Sequence, residues 1–206
     1  MTNSEKSLSP TTEGHTPQKQ RAIGFRYISG VVDKAVLDQI ASRLSEQDIS
    51  FKSFDMSGQP QASINALLSS FALFLSSDIT NAYMLGLLTN ATYDVLRNSL
   101  LGLWTSIKGK KVTQVTAHCS KKVPVSLDIN MTVGNDSLTF KLDGDVSEEV
   151  QRVLIDRIFD FLKSHRESKQ PQHLILFTDK TKTAWNPVPF ETLIQREFEK
   201  HNKASL

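Results

Sequence analysis

The feature that most restricts the fold is a run of strict alternation. Val123, Val125, Leu127, Ile129, Met131 and Val133 alternate with Pro124, Ser126, Asp128, Asn130 and Thr132. A period of two is that of an extended strand with one face buried and the other wet. Gly134-Asn135-Asp136 follows, and Leu138, Phe140 and Leu142 resume the alternation. The pattern predicts a β-hairpin, so the chain must build a sheet whose apolar face is covered by something else.

The flanking segments supply the cover. Residues 23–28 place Ile23, Phe25 and Tyr27 on one face of a strand. Residues 31–46 carry Val32, Val36, Ile40 and Leu44 at helical spacing, and 49–56 read as a second strand that stops at Ser57-Gly58-Gln59-Pro60. This opening is a β-α-β unit, whose right-handed crossover makes its strands parallel within one sheet. Ile64–Ser77 reads as a helix through Leu67, Leu68, Phe71, Phe74 and Leu75. Asp78 is positioned to cap a second helix to Asn90, and a third covers Thr92–Ile107, with Gly86 and Gly102 as weak points.

Beyond this block, 112–118 predicts a strand. Asp145 and Glu148 have the spacing of a capping box for a helix to about Ser164. A polar linker, 165–172, leads to the unbroken apolar run His173–Thr178, an interior strand, and Asn186-Pro187 opens a last helix. The expected architecture is α+β, with one mixed sheet of about five to six strands and a helical block over 61–107 between its halves. Residues 1–21, rich in Ser, Thr, Pro and Gln, predict a flexible arm before a single domain over 22–206.

Composition excludes several classes. A single cysteine among 206 residues permits no intrachain disulfide framework and no Cys-based zinc site within one chain. The N-terminus lacks an apolar signal core, and no window holds 18 uninterrupted apolar residues, which gives a cytoplasmic, non-spanning expectation. There is no phosphate-binding glycine loop, and none of the five histidines shares helical metal-ligand spacing with another ligand. His118 and Cys119 are neighbours on an extended segment and point to opposite faces, which is unsuited to a nucleophile–base pair. Asp128, Asn130 and His173 are the polar residues whose convergence an enzyme would need. No cofactor or metal is expected, and the reading leans away from catalysis.

The net charge of +2 conceals an uneven distribution. Between Asp55 and Asp94 lie 38 residues with one charge, Asp78, where the chain average of 22% implies about eight. From Val95 to Leu127 there is no acid, while Arg97, Lys108, Lys110, Lys111, Lys121 and Lys122 contribute +6, leaving −4 elsewhere.

The reading that follows is a non-catalytic protein-interaction or regulatory module acting through its weakly charged block 64–107, with a protein partner or a second copy of the chain as the target and Phe71, Phe74, Tyr83, Met84 and Trp104 as the partner-binding residues. A membrane surface contacted by the same block and the basic segment 108–122 is an alternative. Nucleic acid held by Lys108, Lys110, Lys111, Lys121 and Lys122 is another. The loop with Asp179, Lys180, Lys182 and Trp185 could grip a base or partner chain; alternatively Trp185 pins the last helix to the core.

Overall fold

A computed structural model describes residues 21–58, 71–115, 120–142, 146–179 and 181–204. The opening unit is β1 (Ala22–Tyr27), α1 (Lys34–Ser45) and β2 (Ser50–Asp55), with β1 and β2 parallel. Asp33 caps α1 by accepting from the Ala35 N–H at 2.9 Å, and Leu37, Ile40 and Leu44 form its buried stripe. Next come β3 (Phe71–Leu75), α2 (Ser77–Met84) and α3 (Asn90–Ile107). A ribbon of β4 (Lys111–Val115) and β5 (Ser120–Pro124) precedes the hairpin β6 (Leu127–Val133) and β7 (Asp136–Leu142). The chain closes with α4 (Glu148–Ser164), β8 (His173–Thr178), β9 (Trp185–Pro189) and α5 (Phe190–Ala204).

The fold is α+β. Seven strands form a mixed sheet in the order β2-β1-β3-β6-β7-β8-β9, and β4 and β5 form a separate two-stranded sheet. One sheet face carries Ile23, Phe25, Leu73, Ile129, Phe140 and Leu176 in register, all buried. α1, α3 and α4 lie against it: Trp104 is buried in the same core, and Phe161 meets the ring of Phe140 edge-on at 5.6 Å. α5 takes the opposite face at the β8–β9 end, where Phe190 sits 4.8 Å from the ring of His173.

Several expectations need correction. The helix expected over Ile64–Ser77 is overturned at 71–75, which form the strand β3 between β1 and β6; its earlier part lies outside the described residues. Phe71, Leu73 and Leu75 fit a period of two as well as a helical stripe, and a short apolar run cannot separate them. Ser76 occupies the N-cap of α2, and Asp78 falls in the first turn, where a carboxylate favours the helix dipole.

α2 ends earlier than expected, at Met84, through a complete Schellman motif. Leu87 N–H donates to Ala82 O at 2.8 Å, Gly86 N–H donates to Tyr83 O at 3.0 Å, and Gly86 supplies φ +68°. Gly102 does not break α3, which continues unbroken to Ile107.

The long alternating strand is two strands, divided at Val125-Ser126, where Val125 N–H turns to Lys110 O. Alternation survives because it records which side chains point inward and not which neighbour the backbone pairs with. Ser147, not Asp145, caps α4, accepting from Val150 N–H at 3.3 Å; Asp145 lies outside the described residues. Asn186 and Pro187 belong to β9, and the last helix begins at Phe190.

The β6–β7 turn is anchored by a buried carboxylate. Asp136 accepts from His165 Nε2 at 3.0 Å, Ser168 N–H at 3.0 Å and Gln172 N–H at 3.2 Å, tying linker 165–172 to the hairpin. Burial pushes its pKa up, but the Ser168 N–H, His165 and the Gln172 N–H outweigh that and hold it below the ordinary value. A depressed carboxylate stabilises the fold above its unfolded value near 4, and the contribution is lost as pH falls through the folded value. Asp136→Asn is therefore expected to cost about 2–4 kcal/mol at neutral pH and much less in acid, measured by urea unfolding across pH.

Candidate interaction surfaces

The five residues expected to bind a partner do not converge. Phe71 and Trp104 are fully buried in the core and can meet no partner. Tyr83 is half-buried in an aromatic cluster, 4.8 Å from Phe159 and 5.9 Å from Tyr93, with Lys163 Nζ 5.1 Å above its ring. Phe74, 43% exposed, belongs to the sheet face opposite the main helical layer. Met84, 38% exposed, begins the turn between α2 and α3.

That turn presents residues the sequence reading missed. Leu85 and Leu87 are 71% and 62% exposed and flank Gly86. The signal lay in Gly86 itself: a glycine stop in the left-handed region ends the helix and leaves its neighbours outside the buried stripe. The turn is also held rigidly. Thr89 caps α3 by accepting from Thr92 N–H at 3.1 Å, four residues after the Schellman motif begins to close. Tyr93 O–H donates to Asp156 at 3.3 Å, and Arg97 grips the same carboxylate through Nε and Nη2, at 2.5 and 2.7 Å. Burial and the Asp156 charge push the Tyr93 phenol up to about 12, so it stays a neutral donor.

A second feature is a polar row on the other sheet face. Asp128 is buried with Lys141 Nζ at 3.2 Å. Asn130 donates to Leu73 O at 3.2 Å and accepts from Thr139 Oγ1 at 2.8 Å, and His173 Nε2 lies 3.2 Å from the same Thr139 oxygen. Asn130 and His173 thus meet through Thr139, with Asp128 farther along the row. The Thr139 hydroxyl donates to Asn130, and the His173 ring nitrogen completes the row at the same oxygen. Burial lowers the His173 pKa against the opposing pull of Glu191. These hydrogen bonds tie β3, β6, β7 and β8 together across the sheet.

The β8–β9 loop is organised from within. Asp179 accepts from Thr181 Oγ1, from Thr183 N–H at 2.7 Å and from Ala184 N–H at 3.2 Å, and these bonds lower its pKa to about 2. Lys182 is exposed at φ +56°, and Lys180 lies outside the described residues. Trp185 is buried, edge-on to Phe140 at 5.1 Å, so it is unavailable to stack a base. It faces the α4 side of the sheet while α5 lies on the other; it pins the edge strand β9 and not the last helix.

The basic segment forms the β4–β5 ribbon. Antiparallel register pairs Lys111 with Pro124, Thr113 with Lys122 and Gln114 with Lys121. Lys111 and Lys122 therefore share one face two residues apart, and both are exposed. Lys110 Nζ donates to Val31 O at the ribbon's base, and Lys108 caps α3. His118 and Cys119 lie outside the described residues.

No protein-family profile, curated protein or solved structure matches the chain. Among the described residues, no group of three or more His, Cys, Asp or Glu is placed to hold a metal, and no helix is long and apolar enough to cross a membrane. Trp185→Ala is expected to lower stability by about 3–5 kcal/mol, whereas Lys182→Ala should change it by less than about 0.5 kcal/mol, as measured by thermal or urea unfolding.

Proposed function

We propose that this chain is a non-catalytic interaction protein whose protein partner seats on the apolar turn Met84–Leu87. The observation that carries the reading is the exposure of Leu85 and Leu87 on a turn fixed at both ends. Surface turns ordinarily carry polar residues, and neither leucine is needed for the Schellman motif, which requires only Gly86 and backbone groups. A pre-ordered apolar knuckle loses little conformational entropy on binding. Covering each leucine stabilises a complex by about 1.5–3 kcal/mol. The chain has no charged residue between Asp78 and Asp94, so the turn itself brings no charge to be desolvated when an interface closes there.

A second reading rests on the ribbon, where Lys111 and Lys122 share a face and no acid intervenes in the sequence from 95 to 127. Such a surface suits the phosphate backbone of a nucleic acid. A membrane contact using leucines and lysines together is less well supported. The 18 residues of α3 put about 27 Å between the apolar turn and the ribbon.

A chain with a photo-crosslinking side chain at Leu87 is expected to trap a protein in cells. Adding Leu85→Glu should abolish the adduct while changing stability by less than about 0.5 kcal/mol. Adducts only to lipid, or adducts that persist with Leu85→Glu, would overturn the interaction reading. For the ribbon, DNA of arbitrary sequence should bind with steep salt dependence and lose affinity with Lys111→Glu and Lys122→Glu; unchanged affinity removes that reading.

A further inference from the structure

The two edges of the seven-stranded sheet differ in kind. β9 carries Pro187 and Pro189, which have no N–H to offer a further strand. β2, Ser50–Asp55, contains no proline, and its residues from Lys52 to Asp55 are exposed. Ser50 N–H donates to Arg21 O at 2.9 Å and Met56 N–H to Tyr27 O at 2.8 Å. In a parallel ladder of that phase, Ser50, Lys52, Phe54 and Met56 turn their backbone groups to β1. Phe51, Ser53 and Asp55 turn theirs outward.

We infer that β2 pairs with β2 of a second copy of this chain, antiparallel about a two-fold axis at Ser53, joining the two sheets into one. This surface is distinct from the α2–α3 turn, and neither depends on the other.

The pairing is self-complementary. Ser53 meets the partner copy's Ser53, and Phe51 meets Asp55, so each outward residue exchanges both backbone bonds. Sliding the register by two residues one way requires the N–H of Ile49, which already donates to Leu44 O at 3.0 Å, and sets Lys52 against Lys52. Sliding it the other way requires the N–H of Ser57, which donates to Asp55 at 2.9 Å. Only the Ser53-centred register leaves every donor available.

Side chains agree with that register. Lys52 falls opposite Phe54 across the seam, in a non-hydrogen-bonded pair where side chains approach closely. Phe54 is 53% exposed, and its ring lies over Gly24, with Cε2 3.6 Å from where a Cβ would stand. Phe74 packs on the other side of Gly24, with the Arg26 guanidinium 5.8 Å from its ring centre. A lysine on an edge strand normally opposes pairing. In this register each lysine faces a phenylalanine and not its own copy, so the seam sets no like charges against each other.

Sedimentation velocity and light scattering on the full chain test the inference. The native protein should show twice the chain mass. Phe54→Lys, which sets lysine against lysine at two places in the seam, should give the monomer. Lys52→Glu combined with Phe54→Lys restores opposite charges across the seam and should restore the dimer, which separates loss of pairing from loss of folding. Amides of Phe51, Ser53 and Asp55 should gain hydrogen-exchange protection as concentration rises. A native monomer, a dimer indifferent to Phe54→Lys, or a double variant that stays monomeric would each overturn the pairing.

Discussion

Pairing between β3 and β6 is the contact on which the rest of the sheet depends. The strands divide into an N-terminal set, β2-β1-β3, and a C-terminal set, β6-β7-β8-β9, and the parallel ladder from Phe71–Leu127 to Phe74–Asn130 is their junction. Phe71 and Leu73 on β3 and Leu127 and Ile129 on β6 are fully buried beneath the helical layer. Across the junction on the other face, Asn130 donates to Leu73 O and accepts from Thr139, so the polar row reinforces the same seam. With the seam in place, α2 and α3 must return across the apolar face from the end of β3, which sets where the α2–α3 turn emerges.

The weak charge of the central segment acquires a divided meaning. Most of it serves burial: β3 is interior, and α3 presents Leu96, Leu100, Leu103, Trp104 and Ile107 to the core. Small polar residues stand in for charges where helices pack, as with Ser99, whose hydroxyl returns to Val95 O at 2.8 Å. Among the described residues, the large apolar side chains the central segment leaves exposed are Met84, Leu85 and Leu87 around Gly86 and Phe74 on the other sheet face. The basic excess, in turn, is concentrated on a ribbon that leaves the main sheet. The two features are adjacent in sequence and separated in space by the length of a helix.

Much of the architecture was legible because its elements announce their period. The β6–β7 hairpin, the β-α-β opening, α3 and α4 each combine a clear apolar spacing with stop signals. The two segments misread as helix share one cause. FALFL at 71–75 and WNPVP at 185–189 are too short to fix a period, and each is a strand only because a neighbouring strand satisfies its backbone. The same limit hid the candidate surfaces. Aromatic residues were chosen for size, yet Phe71 and Trp104 fill the core, whereas Leu85 and Leu87 differ from buried leucines only through the left-handed Gly86 between them.

The sequence alone determined that this chain builds a sheet whose apolar face is layered with amphipathic helices, and that its charges are unevenly spread. Both are local properties, set by side-chain periodicity and composition. They did not foretell that Asp128 and Thr139 on the other face are also buried. Tertiary structure decided which strands are interior, where the alternating run breaks, and which apolar residues face water. Those outcomes depend on hydrogen-bond partners and packing neighbours far away in the chain, and local spacing holds no record of them.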